Sequence, residues 1–276
     1  MGLALLFLIR QISDMKTSLR ALALTVFSLS VVQAETTSNS PLGSDLSVRA
    51  NFSWASKNVA RGKERSSEEG HFQSQLTLEY AIPTAIGTSV YASGYSADSF
   101  EKVYGVGIRR DMECGTLDVG YQHTTANNQA VGVNDTAGYT LAPSDNEYYI
   151  GLILSKDVFL RPSAYVFYSD ELKQYNFVVS LRKDFDGSDI GLSGINIVTK
   201  LYAGSITASD SNWDSANSYV YTGASADFIY AINSTASVGA GLNFAYNNDD
   251  AVTTKSIPLN TQGGVFWYRF FANFRF

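Results

Sequence analysis

Six basic and three acidic side chains recur at the polar positions of segments in which polar and apolar residues alternate. A row of guanidinium and ammonium groups along a water-filled passage lowers the electrostatic barrier for anions. The alternative is that these groups pair with the three carboxylates and only stabilise a filled interior. The sequence leaves both alternatives open. The nine residues are Arg49, Glu79, Arg109, Asp118, Arg182, Lys200, Asp227, Arg269 and Arg275.

Residue types for covalent or metal-dependent catalysis are sparse. The chain has two histidines, His71 and His123, and a single cysteine, Cys114. Neither histidine lies in a Ser/His/Asn pattern of the kind that nucleophilic lipid hydrolysis needs. Residues 210–214 open with the spacing of a calcium loop but lack its following glycine and its distal glutamate. We therefore expect no catalytic residue, no metal site and no cofactor.

The alternation of polar and apolar residues indicates strands that separate two environments. At the C-terminus, Phe276, Phe274 and Phe270 share one parity, whereas Arg275 and Arg269 share the other. Twelve such segments follow one another, each of about nine to twelve residues, which is the length of a tilted strand that crosses a bilayer. The pattern predicts an all-β transmembrane barrel of about twelve antiparallel, up-and-down strands, with ten or fourteen strands as alternatives.

Most odd-numbered connectors between the predicted strands are long, and all even-numbered ones are short. Membrane barrels have short turns at one end and longer loops at the other, whereas a soluble β-sandwich has no reason to sort its loops by parity. We expect loop 124–146 to narrow or cap the passage. The long connectors are residues 57–70, 124–146, 204–217 and 247–263.

The N-terminus indicates export. Residues 1–34 contain a basic stretch, an apolar run and a small-residue cleavage site that ends at Ala34. We expect the signal peptide to be removed there, with Met15 as an alternative start of the chain. A polar lead-in at residues 35–43 and the barrel at residues 44–276 would follow.

The aromatic C-terminal strand resembles that of bacterial outer-membrane β-barrels, which commonly finish on a Phe. The resemblance implies that Phe276, together with Phe274, is the signal that the barrel-assembly machinery recognises. Residues 54–62, Trp-Ala-Ser-Lys-Asn-Val-Ala-Arg-Gly, are similar to the first-hairpin motif of the TorF-type porins, which has an aromatic-Arg-Gly turn. Arg61 and Gly62 match that turn, and Ala60 stands where the aromatic is usual. This second resemblance implies a porin of unassigned substrate.

These features favour a porin-like channel of the outer membrane for passive diffusion of small hydrophilic, and in one reading anionic, solutes. Outer-membrane lipids and lipopolysaccharide are its expected surroundings, and the fold allows a homo-oligomer. A net charge of −6 without a basic cluster argues against nucleic-acid binding. Two alternatives stay open: a plugged structural or adhesion barrel that acts through its outer loops, and an outer-membrane lipid-modifying enzyme.

Overall fold

The computed structural model describes residues 45–64, 70–85, 87–98, 101–126, 144–171, 173–208, 218–248 and 262–276. The predicted signal peptide, the lead-in and the calcium-like segment 210–214 lie outside the described residues. So does the middle of loop 124–146. Within the described part, no helix is long and apolar enough to cross a membrane.

The described residues form fourteen strands, of which twelve build the wall of a barrel. The wall strands are β1 (Leu46–Ala55), β4 (His71–Ala81), β5 (Thr88–Ala97), β6 (Glu101–Met112), β7 (Gly115–Ala126), β8 (Ser144–Leu154), β9 (Ser163–Ser169), β10 (Gln174–Asp186), β11 (Ile195–Ala208), β12 (Tyr219–Ala231), β13 (Ala236–Asn248) and β14 (Gln262–Arg275). The other two, β2 (Val59–Ala60) and β3 (Lys63–Glu64), pair with each other in the first loop.

The twelve wall strands close into a single antiparallel sheet. Each pairs with its neighbours in the sequence, and β1 pairs with both β4 and β14. The predicted all-β, twelve-stranded up-and-down barrel is therefore confirmed. Closure satisfies the backbone groups of these strands, each of which would cost several kcal/mol if left unpaired in lipid.

The convex face of the wall is apolar. On β6, Tyr104, Val106 and Ile108 point outward and each keeps 54% of its surface exposed. Gly105 and Arg109 alternate with them and point inward. Exposed apolar area of this extent marks a surface that contacts another apolar phase.

The seventh predicted strand, residues 158–169, is wrong at its start. Strand β9 covers only Ser163–Ser169. Leu160 and Arg161 have positive φ angles of 60° and 32°, values that a strand cannot use. Pro162 follows and has no N–H to donate to the sheet. The chain therefore turns here before it enters the wall.

Connector length differs between the two ends of the barrel. We call the end where β1 begins and β14 finishes the terminal end, and the opposite one the loop end. The four longest connectors, residues 56–70, 127–143, 209–218 and 249–261, are all at the loop end. Turns 155–162 and 187–194, at the terminal end, are longer than expected. In the second of them, a 3-10 turn over Gly187–Ile190 takes up the extra residues.

Candidate functional site in the barrel interior

Polar side chains converge on the concave face of the wall. Because the sheet curves inward, side chains that are two strands apart meet there. The Tyr91 hydroxyl on β5 donates to Asp118 on β7 at 2.7 Å, and Arg109 on β6 donates to Glu79 on β4 at 3.2 Å. By strand parity, the nine charged residues selected from the sequence all belong to this face. That they line an open passage stays a prediction.

Four of the nine residues neutralise one another in an arrangement that we call the Asp118 cluster: Arg49, Glu79, Arg109 and Asp118. Arg49 forms an ion pair with Glu79. Arg109 bridges two carboxylates, with Nη1 3.2 Å from Glu79 Oε2 and Nε 3.2 Å from Asp118 Oδ2. Only 4% of the Asp118 side chain is exposed. Two cations and two anions cancel, so this part of the wall has little net charge.

Asp227, the third predicted acidic residue, also forms an ion pair, on the other side of the β1–β14 seam. Arg269 Nη2 lies 2.7 Å from Asp227 Oδ2. The Arg269 guanidinium also lies 5.0 Å from the centre of the Phe271 ring, within the range of a cation–π contact. The charge of Asp227 is therefore neutralised by a neighbouring cation, as the charges of Glu79 and Asp118 are.

Aromatic rings on the inner face lie over glycines of the neighbouring strand. A Cβ atom on any of these glycines would overlap the opposite ring, so each ring packs directly against bare backbone. The pairs are Tyr91–Gly107, Tyr149–Gly120, Tyr165–Gly151, Tyr202–Gly223, Tyr221–Gly204 and Phe271–Gly239.

Two further cations stand directly opposite each other, and we call them the Arg182–Lys200 pair. Arg182 is on β10 and Lys200 on β11, in one register position. Arg182 donates to Asp184, two residues along its own strand, at 2.8 and 3.2 Å. Lys200 lies 6.0 Å from the Tyr202 ring. Within the described residues, Lys200 forms no ion pair with a carboxylate.

The first loop folds into the barrel. Strands β2 and β3 are joined by a two-residue turn in which Arg61 and Gly62 have φ angles of 52° and 78°. Positive φ at both positions is the requirement of a type I′ hairpin turn. Arg61 forms an ion pair with Glu147 on β8, and its guanidinium lies 6.0 Å from the Phe167 ring on β9.

The same turn contacts the facing wall. Asn247 on β13 donates to the Gly62 carbonyl at 2.8 Å, and the Tyr219 hydroxyl on β12 donates to the Arg61 carbonyl at 3.3 Å. A Cβ on Gly62 would lie 2.6 Å from Tyr221 Cβ, so only glycine fits there. The hairpin starts between β1 and β4 and reaches β8, β9, β12 and β13. It therefore crosses the lumen near the loop end.

Arg61 keeps its charge in this position. Burial by itself lowers the pKa of the guanidinium, but the charge of Glu147 and the hydrogen bond to it outweigh burial, so the pKa of Arg61 is raised. Gln122 donates to the second Glu147 oxygen at 2.5 Å. The tip of the hairpin is thus held by an ion pair whose carboxylate also accepts a hydrogen bond from the wall.

The inward fold in the structure belongs to the first loop. The prediction that loop 124–146 narrows or caps the passage falls outside the described residues, since β7 ends at Ala126 and β8 begins at Ser144. From the sequence, Arg61 is recognisable only as part of a motif, and Glu147 is not among the predicted site residues. Gly62 suits the positive φ of a tight hairpin turn, but nothing in the sequence tells where the hairpin points.

The two histidines lie on opposite faces of the wall. His71 is inside, 1% exposed, with Nδ1 3.1 Å from Asp98 Oδ2. His123 is outside, with Nδ1 2.8 Å from Asn146 Oδ1. The wall separates them, so they cannot serve one active site. No group of three or more metal-ligating side chains occurs in the part of the chain that the structure describes.

Comparison with known proteins finds similar structures but no related sequence. No family model matches the chain, and no curated protein matches it either. The KdgM porin covers 83% of this chain and 98% of its own length at 8% identity, with a TM-score of 0.45. For the NanC porin these values are 83%, 98%, 9% and 0.44. For OccK10 (OpdN) of Pseudomonas aeruginosa they are 85%, 70%, 11% and 0.37. At such scores the similarity supports no conclusion on function.

Proposed function

We propose that this chain is a channel of the bacterial outer membrane through which small hydrophilic solutes diffuse passively. The observation that carries the proposal is the contrast between an apolar outer face and an inner face with exposed charges. The side chains of Arg182 and Arg269 keep 43% and 33% of their surface exposed, although both point into the barrel. A tightly filled interior would bury them, and an ionised group needs water or a partner.

The outer face supports a membrane location. Strands of ten to fourteen residues, such as β1 and β14, are long enough to cross a bilayer at a tilt. Their outward aromatic residues include Trp54 and Tyr268, whose rings lie 5.7 Å apart. Aromatic residues of this kind favour the membrane–water interface. Export through residues 1–34, contact with lipopolysaccharide and recognition of Phe274 and Phe276 by the assembly machinery are parts of this proposal.

Solute selection would occur at two levels. The hairpin with Arg61 at its tip limits the width of the passage near the loop end. Below it, fixed charges on the wall favour some ions over others. Nothing in this mechanism needs a covalent step, a metal or a cofactor, because the solute moves down its own concentration gradient.

The same hairpin supports a second candidate, a plugged barrel that acts through its outer loops. If the hairpin and its Arg61–Glu147 pair close the lumen completely, the wild-type barrel would not conduct. The charged side chains on the terminal side of the hairpin would then contact water, but a solute could not reach them from the loop end. The two candidates therefore differ in one measurable property, the conductance of the folded barrel.

The test is single-channel conductance of the purified chain in planar lipid bilayers, with folding checked by its heat-modifiable mobility on gels. Arg61→Ala removes the tip charge, and His123→Gln on the outer face is the matched control. Open steps in the wild type that are larger in Arg61→Ala support the channel. A silent wild type with steps in Arg61→Ala supports the plugged barrel. Silence in both, from folded protein, rejects the channel.

A further inference from the structure

We propose that Arg182 and Lys200 bind the oxyanion group of a permeating solute, a carboxylate or a phosphate, on the lumenal wall of β10 and β11. The route of the solute rests on the proposed channel function. The binding site itself rests on the arrangement of the two cations, their lack of carboxylate partners across the wall, and the hydroxyl groups around them.

The two cations destabilise the sheet in the absence of an anion. Residues directly opposite on neighbouring antiparallel strands have Cβ atoms about 5 Å apart, and like charges there destabilise the sheet. Arg182 and Lys200 occupy such a position on one face. A fold that keeps both cations loses stability by it, and a bound anion removes that loss.

The other inward cations differ from this pair in their carboxylate partners. Arg61, Arg109 and Arg269 each form an ion pair with a carboxylate on another strand. Arg182 has only Asp184 of its own strand, and the two side chains are 43% and 55% exposed, so the pair is worth little in water. Lys200 has no carboxylate partner among the described residues. Arg275 lacks one there too, but it lies at the rim, where bulk water screens it.

Two hydroxyl groups that can donate hydrogen bonds lie next to the Arg182–Lys200 pair. Ser225 stands opposite Lys200 on its other side, on β12, and Tyr202 follows two residues along β11. Neither hydroxyl has a hydrogen-bond partner in the described part of the chain. The bare backbone of Gly223 leaves room for the Tyr202 ring and its hydroxyl against the wall. Two cations and two free hydroxyls, all able to donate, match a ligand with several acceptor oxygens.

The Arg182–Lys200 pair lies nearer the terminal end than the inserted hairpin. Gly204, opposite Tyr221, marks the level of the inserted hairpin on β11. Lys200 lies four residues nearer the terminal end, which is about 13 Å at 3.3 Å per residue. A solute that passes the Arg61 hairpin would therefore meet the Arg182–Lys200 pair next. This order places size selection before anion binding.

The test uses inorganic phosphate as the probe and measures its reduction of the KCl current through single channels. Lys200→Gln should raise the phosphate concentration for half-block about tenfold, the expected loss for a hydrogen bond to a charged group. Lys183→Gln is the matched control, since Lys183 carries the same charge one position from Arg182 but points outward. It should leave the half-block concentration unchanged. Equal effects of the two variants would overturn the site.

A second measurement keeps the site testable if the barrel does not conduct. Broadening of the phosphate ³¹P resonance by the detergent-solubilised, folded barrel reports binding without transport. Broadening that is lost in Lys200→Gln and kept in Lys183→Gln supports the site even in a silent barrel, and only the channel function is then rejected. No broadening by the wild type, or the same broadening in both variants, rejects the site.

Discussion

The Asp118 cluster and the Arg182–Lys200 pair face the same lumen but treat charge in opposite ways. In the cluster, Arg109 bridges Glu79 and Asp118, so carboxylates of the wall neutralise its charge. In the pair, two cations stand side by side and their only carboxylate is on the same strand. A count of inward charges therefore overstates the anion-attracting field. The three predicted acidic residues all pair with cations, so the proposed anion binding depends on Arg182 and Lys200.

Asp118→Asn should have the largest effect, because it would turn the neutral wall into a second cationic one. The side chain is 4% exposed and accepts hydrogen bonds from Tyr91 and Tyr165 besides pairing with Arg109. Breaking a buried ion pair on one side costs about 3 kcal/mol of unfolding free energy. Urea unfolding of the folded barrel in lipid measures it, and the reversal potential in a KCl gradient should move toward chloride.

The control for that variant is Asp184→Asn, which removes the same charge from an ion pair that is largely exposed. It should cost less than about 1 kcal/mol. If the two variants lost equal stability, the contrast between a neutralised and an open wall would be mistaken.

Glu147→Gln should come next, because it weakens the hold on the Arg61 hairpin. Loss of a hydrogen bond to a charged group costs about 2 kcal/mol, which moves the ratio of docked to undocked hairpin by roughly thirtyfold. Longer dwell times in a high-conductance state would report it. Asp145→Asn, on the same face two residues away, is the control: Asp145 accepts a hydrogen bond from Ser169 and interacts with Arg61 only through its charge, so the dwell times should change far less.

Gly107→Ala tests how tightly the Asp118 cluster is packed against the wall. Tyr91 covers Gly107 and is held from the lumen side by Arg109, whose guanidinium lies 4.2 Å from the ring centre. The ring cannot withdraw freely, so the added methyl should cost about 1.5 kcal/mol. Gly94→Ala, at a position with no atom within 4 Å, should be neutral in the same urea experiment.

The smallest effect is expected from Lys200→Glu, and its sign is the informative part. Replacing a like-charge pair by opposite charges at one register position should stabilise the barrel by about 0.5 kcal/mol. The same change should abolish phosphate block. A loss of stability in urea unfolding would mean that Arg182 and Lys200 do not repel each other as the register implies.

The fold could be predicted wherever the two faces differ in polarity. On β6, Tyr104, Val106 and Ile108 alternate with glycine and arginine, and the strand is evident from its sequence. On β9 the inward residues are Tyr165 and Phe167, whose rings stack 5.8 Å apart. Both faces of β9 are then apolar, the alternation disappears, and the predicted start of that strand is wrong.

The candidate site was predictable only where turns are short. The two-residue turn at residues 113–114 fixes the register of β6 and β7 and so places Arg109 opposite Asp118. Turn 187–194 is too long to fix the register of β10 and β11. The sequence therefore does not predict that Arg182 and Lys200 lie opposite each other. The contact of Arg61 with Glu147 depends on a loop that folds inward, which local sequence does not encode.

The seam between β1 and β14 has a consequence for how the molecule folds. Asn51 donates to Asn273 at 2.6 Å across 222 positions of the sequence, so this pairing has a far higher contact order than any hairpin in the wall. Chain entropy opposes such a closure most strongly, and the seam should form after the neighbouring hairpins. Until it does, β1 and β14 are unprotected edges prone to pairing with other chains. Closure is therefore the step at which this barrel escapes aggregation, and the whole wall gains its stability cooperatively at that point.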